Sequence, residues 1–172
     1  MCRMAVFAVF AVVAAACGGS PSAPGPTTTV PLSSGPYRLI VHLGMGVQSC
    51  DGQFCSSILL CAGGLGAGTP VAVPVFLNRT GDQATVRQND SRSTLVMTLQ
   101  ISGSTVTGTI TGRGFDSAGT VVEVRGADNQ PASLTGGPTD RGAVMGMLNG
   151  RVTIGGSSCS GDQSMWRLEP AR

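Results

Sequence analysis

The chain reads as all-β, with eight to ten short strands closing into an up-and-down antiparallel barrel. Three observations carry that reading. Charged residues are only 12% of the 172 while glycine contributes 26. That composition, rich also in Thr, Ser and Val, suits strands and turns better than helices. Period-two alternation of apolar and polar residues recurs downstream of the front third, so one face of each segment can be buried and the other wet. Tight turn signals separate these segments, and successive hairpins favour a meander closed on itself. Closure also removes the unpaired edges that Thr- and Val-rich strands would expose. A β-sandwich of the immunoglobulin type gives similar spacing and is the alternative architecture.

Before the strands comes a different kind of sequence. Met1–Ala16 has one positive charge, Arg3, and an apolar run from Met4 to Ala16. That run is short of the roughly 20 apolar residues a membrane-spanning helix needs. A charged start, a brief apolar stretch and small residues at the break describe an export signal. Ala14, Ala15 and Ala16 stand directly before Cys17, which resembles the lipobox of bacterial lipoproteins, with Ala14 where that family usually has leucine. The resemblance implies that residues 1–16 are a signal peptide and that Cys17 is lipidated on sulfur and becomes the N-terminus. It implies a lipid-anchored protein of the cell envelope, outside the cytoplasm. By the family's sorting habit, Gly18 in place of Asp points to the outer membrane if the host is Gram-negative. One acyl chain gives only marginal membrane binding, whereas two or more hold a protein stably. Residues 17–35, dense in Gly, Pro, Ser and Thr, read as a solvated linker that could reach roughly 60 Å when extended. Residues 36–172 remain for one barrel domain.

Along that domain the strand candidates come in order. "YRLIVHL" is the first. "VAVPVFLN" and "QATVRQ" flank the turn "RTGD" and form a hairpin. "TLVMTLQI" and "TVTGTITG" flank "SGS" and form another, with Leu95, Met97, Leu99 and Ile101 on one face. "TVVEVRG" and "ASLTG" follow. Asn149-Gly150, a strong short hairpin signal, separates "AVMGML" from "RVTIGG", and "SMWRL" is last. Gly108, Gly112 and Gly146 fall on inward faces and are expected at bends where strands coil.

Cys50, Cys55, Cys61 and Cys159 remain once Cys2 leaves with the signal and Cys17 is acylated. An even number in an exported chain reads as two disulfides, with three possible connectivities. The spacing does not match the paired C-x2-C pattern of zinc sites. From "SGPYRL" to "MWRLEP" the chain resembles lipocalin-like barrels of uncharacterised bacterial lipoproteins. The shared traits are a first strand opening on Gly-x-aromatic, here Gly35-Pro36-Tyr37, Thr/Gly meander strands, and a late Cys before a Trp-containing last strand. The family's usual Trp is Tyr37 here, and the resemblance brings no activity with it. In a closed meander the first and last strands are neighbours. Cys50 would then lie near Cys159, and that bridge would staple the closure while Cys55–Cys61 clips "CSSILLC". Such a loop of about a hundred residues gives on the order of 4–5 kcal/mol by chain entropy.

Catalytic chemistry is thin. The one histidine, His42, lies in the first strand and has no recognisable nucleophile partner. "GFDSAG" has the look of a hydrolase Gly-Asp-Ser-x-Gly, but Phe115 interrupts it, and Asp, Ser and Gly there spell a turn. "GGLGAGT" lacks the lysine of a phosphate loop. Most carboxylates sit at turns; Glu123, between Val122 and Val124, should point outward. No cofactor and no metal is called for. With 11 basic and 9 acidic residues, the chain has no electrostatic footprint for nucleic acid. Tyr37 and Trp166, the only Tyr and Trp, are expected to pack together at one end of the barrel or to line a ligand mouth. The expected function is non-enzymatic: a membrane-anchored structural or protein-interaction module that docks another envelope protein. A binder of a small apolar ligand in the barrel interior is the alternative.

Overall fold

Alternating sequence becomes strand wherever a neighbour can pair its backbone, and here the pairing is nearly continuous. The computed structural model describes residues 29–42, 49–51, 71–139, 141–155, 157–160 and 164–171. Among them lie β1 (Gly35–His42), β2 (Ser49–Asp51), β3 (Val71–Thr80), β4 (Gln83–Arg87), β5 (Val96–Ser102) and β6 (Thr105–Phe115). A second group comprises β7 (Val121–Arg125), β8 (Ala132–Pro138), β9 (Val144–Asn149), β10 (Arg151–Ile154), β11 (Ser157–Ser160) and β12 (Ser164–Pro170). Strands β1, β3, β4, β5, β6, β8, β9 and β12 pair in that order, each antiparallel to the next. β12 returns to β1, with Tyr37 opposite Pro170 and Val41 opposite Trp166. This is a closed eight-stranded meander of the lipocalin-like kind, as the sequence predicts; the closed seam excludes the sandwich.

The remaining strands make a side sheet that the sequence did not announce. β6 is long enough to leave the barrel: Val106–Ile110 pair with β8, and Gly112–Phe115 pair with β7. From β7 the side sheet continues through β10, β11 and β2. The expected count of eight to ten strands is therefore exceeded by this extension, since twelve form one continuous sheet. The Asn149-Gly150 hairpin is likewise corrected. β9 pairs with β8 and β12, whereas β10 pairs with β7 and β11. Here Asn-Gly carries the chain out of the barrel instead of folding it back. The two other hairpins form as expected, β3–β4 around Gly81-Asp82 and β5–β6 around Gly103-Ser104.

Inward positions of both parts merge into one apolar cluster. Trp166, Leu39, Leu77, Met97 and Ile110 are among its largest fully buried members inside the barrel, and Val122, Val124 and Val152 extend it into the side sheet. Burying each such side chain is worth about 1.5–3 kcal/mol. Where two strands approach most closely the inward residue is glycine. A Cβ on Gly146 would sit 1.8 Å from the Thr135 carbonyl oxygen, and one on Gly108 would sit 2.0 Å from that of Thr98. At Gly112 the backbone itself demands glycine, with φ at +101°.

Apolar residues outside the barrel strands join its core at both ends. At the leading end, where β1 starts, Val30 and Leu32 are buried in the cluster, so the folded domain begins inside the stretch read as linker. Arg79 holds them: its Nη1 donates to the Leu32 carbonyl at 2.6 Å and the Val30 carbonyl at 3.4 Å. The Ser33 N–H donates to the Tyr37 hydroxyl at 3.2 Å. At the far end the side sheet turns its valines inward, and Gly114 of β6 lies against Val73 and Leu95.

Removing the largest buried side chain should register across the whole domain. Trp166→Ala is expected to lower unfolding free energy by about 3–5 kcal/mol in denaturant titration. A loss under about 1 kcal/mol would mean that the core is not filled as described.

Candidate functional site

The barrel interior is the first place to look, because small β-barrels of this size either fill or hold one ligand. Along the described strands the inward side chains are buried, Trp166 fully so, and glycine takes inward positions such as Gly108 and Gly146. Its Nε1–H donates to the carbonyls of Thr135 and Met147, both at 3.1 Å, so its one polar atom is satisfied inside the wall. Tyr37 is also buried. Their register differs: Trp166 is opposite Val41, four residues along β1 from Tyr37, which is opposite Pro170. Tyr37 closes the leading end with Val30 and Leu32, while Trp166 fills the middle.

The cysteines take an unexpected position. Cys50 on β2 stands directly opposite Cys159 on β11. Opposed antiparallel residues have Cα atoms about 4.5–5.5 Å apart, within the range a disulfide spans. The sequence placed this pair at the β1–β12 seam; it lies in the side sheet instead, whose outer strands are β11 and β2. Cys17, Cys55, Cys61 and the "GGLGAGT" loop lie outside the described residues, and so does the side chain of His42.

Polar chemistry gathers outside the barrel, around the junction of β6 with the side sheet. Arg113, Arg125 and Glu123 meet on the outer face. An Arg125 nitrogen pairs with Glu123 Oε1, while Arg113 Nη2 stands 3.8 Å from Oε2. Arg125 Nη1 also donates to Asn129 Oδ1 at 3.2 Å. With Arg92, Thr94, Thr111 and Gly112 these residues line an open groove of about 380 Å³. Arg92 is held in place. Its Nε and Nη2 donate to the two Asp90 carboxylate oxygens at 3.1 and 2.8 Å, and its guanidinium lies 4.5 Å above the Phe115 ring. This combines a bidentate ion pair with a cation–π contact. The hydrogen bond from the Arg92 side chain, followed by that from its backbone N–H, lowers the Asp90 carboxyl from 3.8 to about 2.

Beside the groove the "GFDSAG" segment is the turn expected of it. Asp116 Oδ1 accepts from the N–H groups of Ala118 at 2.9 Å and Thr120 at 2.6 Å. Burial is the largest effect on that carboxyl and raises it, but hydrogen bonds from Thr120, Ala118 and Gly119 together hold it below the ordinary value. Ser117 is thus a turn residue, and Glu123 faces outward as predicted. Among the described residues no group of three or more His, Cys, Asp or Glu could hold a metal ion, and no helix is long and apolar enough to cross a membrane. What sequence reading missed is the arginine groove. Its members are scattered between residues 92 and 129, and only the strand register brings them together.

Fold and surface thus define a closed antiparallel barrel with a lateral sheet and a basic groove. Comparison with models of protein families, with curated proteins and with solved structures finds no match.

The Asp90 clip should follow its shifted titration. A carboxyl with a depressed folded-state pKa contributes stability fully above its ordinary value and loses it as pH falls through the folded one. In an NMR pH titration Asp90 is expected to titrate at about 2. In Arg92→Gln it is expected to return toward 3.8; an unchanged midpoint in that variant would contradict the pairing.

Proposed function

We propose that this chain is a lipid-anchored module of the cell envelope whose work is done by its outer surface, docking another envelope component, without enzymatic activity. The observation that supports it best is the packing of the barrel interior: the buried inward side chains of the described strands form a single cluster. The apolar coverings at both ends, Val30 and Leu32 at one and the side-sheet valines at the other, favour the same reading. The anchor rests on Cys17 and the small residues before it. Lipid at Cys17 would connect to the domain at its leading end. The opposed positions of Cys50 and Cys159 support a disulfide that would hold the side sheet's last two strands together in an oxidising compartment.

Expressed in a bacterium with lipoprotein processing, the wild-type chain is expected in the membrane fraction with the mass of an acylated Cys17. Cys17→Ser is expected to lose both properties. A wild-type chain that is soluble and begins beyond Cys17 would contradict the anchor. In the soluble domain, a fluorescent fatty acid is expected to show no saturable binding. One-to-one binding that Met97→Trp abolishes would favour the apolar-ligand alternative.

A further inference from the structure

The outer face of the side sheet carries a charge arrangement that opposes its own folding. On β7, Val122 and Val124 point into the core, so Glu123 and Arg125 face out; on β10, Val152 points in and Arg151 faces out. The register sets Arg125 directly opposite Arg151. Like charges directly opposed on neighbouring strands destabilise a sheet. Glu123 does not resolve this, because it is shared between Arg125 and Arg113. Arg92 is the third guanidinium of the groove's lining, its own partner being Asp90. Among the described residues Arg92, Arg113 and Arg125 line the groove with Glu123, Asp90 pairs with Arg92, and Arg151 stands beside Arg125 outside that lining. The arginine side chains at the ion pairs are about half exposed or more, so a dissolved ligand can reach them.

We propose that this groove binds a phosphate-class dianion, the phosphate group of a phosphate monoester. The planar guanidinium fork matches two oxygens of such a group, and more than one arginine can engage it at once. The surplus of guanidinium groups over carboxylates in the lining favours a multiply charged anion. An anion beside Arg125 and Arg151 would also offset their mutual repulsion. The Thr94 and Thr111 hydroxyls and the Asn129 amide supply neutral hydrogen-bonding groups along the same lining. A volume of about 380 Å³ leaves room for a small organic remainder such as a sugar. Arg92 is pre-set by Asp90 and Phe115, so less side-chain freedom is lost on binding. The site does not depend on the lipid anchor or on an envelope partner.

The test uses the soluble domain, isothermal calorimetry and thermal unfolding, with inorganic phosphate as probe and chloride at equal ionic strength as control. Wild type is expected to bind phosphate saturably at one site and to unfold at a higher temperature in its presence. Arg151→Gln and Arg113→Gln are each expected to weaken binding about tenfold or more. Arg151→Gln is further expected to unfold no lower than wild type without phosphate, because it removes the like-charge pair. No saturable binding by wild type, or equal binding by both variants, would overturn the proposal. Two further probes separate the sources of the same chemistry. Competition by glucose 6-phosphate supports a soluble ester. Arginine-dependent binding to phosphatidic acid vesicles, but not to phosphatidylcholine vesicles, without that competition supports a lipid headgroup.

Discussion

The whole architecture depends on what β6 does at Gly112. One edge of this strand stays paired with β5, while its other edge pairs first with β8 and then with β7. The first pairing closes the barrel, and the second starts the side sheet. Changing partners along one edge needs a local twist that a side chain would block. Gly112 supplies it with φ at +101° and no Cβ to strike the Thr94 carbonyl, which would lie 2.2 Å away. On the β5 side, Thr94 keeps the ladder intact through the bend: its N–H donates to the Arg113 carbonyl at 2.9 Å, and its hydroxyl accepts from the Arg113 N–H at 3.0 Å. The turn that folds the core also delivers Arg113 to the outer face.

From that branch follows the division between inside and outside. The side sheet spends its valines on covering the far end of the barrel, and the N-terminal segment covers the other end through Arg79. Apolar surface is thereby used up in the core. Among described large hydrophobic side chains, Phe76 and Met145 are the exposed ones. The outer walls are otherwise polar and rich in threonine, with Thr98 and Thr109 hydrogen-bonded across strands at 2.8 Å. Among the described residues, charged side chains meet at the branch and, on the β1–β12 wall, at Arg38, Glu169 and Arg167.

How much of this was legible in the sequence depends on the range of the interaction. The turns at Gly81-Asp82 and Gly103-Ser104 join strands adjacent in sequence, so local turn chemistry sufficed to read those hairpins. The same local reasoning failed at Asn149-Gly150, where tertiary pairing with β7 outcompetes the hairpin that the dipeptide favours. Val30 and Leu32 were hidden among prolines, serines and threonines, and two apolar residues carry no periodicity to detect. The opposition of Arg125 to Arg151 is a product of register alone. A composition with nearly equal acidic and basic residues concealed the groove, because net charge says nothing about where charges meet.

If β6 joins barrel and side sheet through one packed core, they must open as one unit. Native-state hydrogen exchange of the β6 amides tests this most directly, since cooperative units reveal themselves by shared opening free energies. The expected result is that hydrogen-bonded amides in Val106–Ile110 and Gly112–Phe115 exchange with the same free energy, that of global unfolding. Markedly faster exchange confined to Gly112–Phe115 and β7 would contradict it, showing a side sheet that opens while the barrel stays closed.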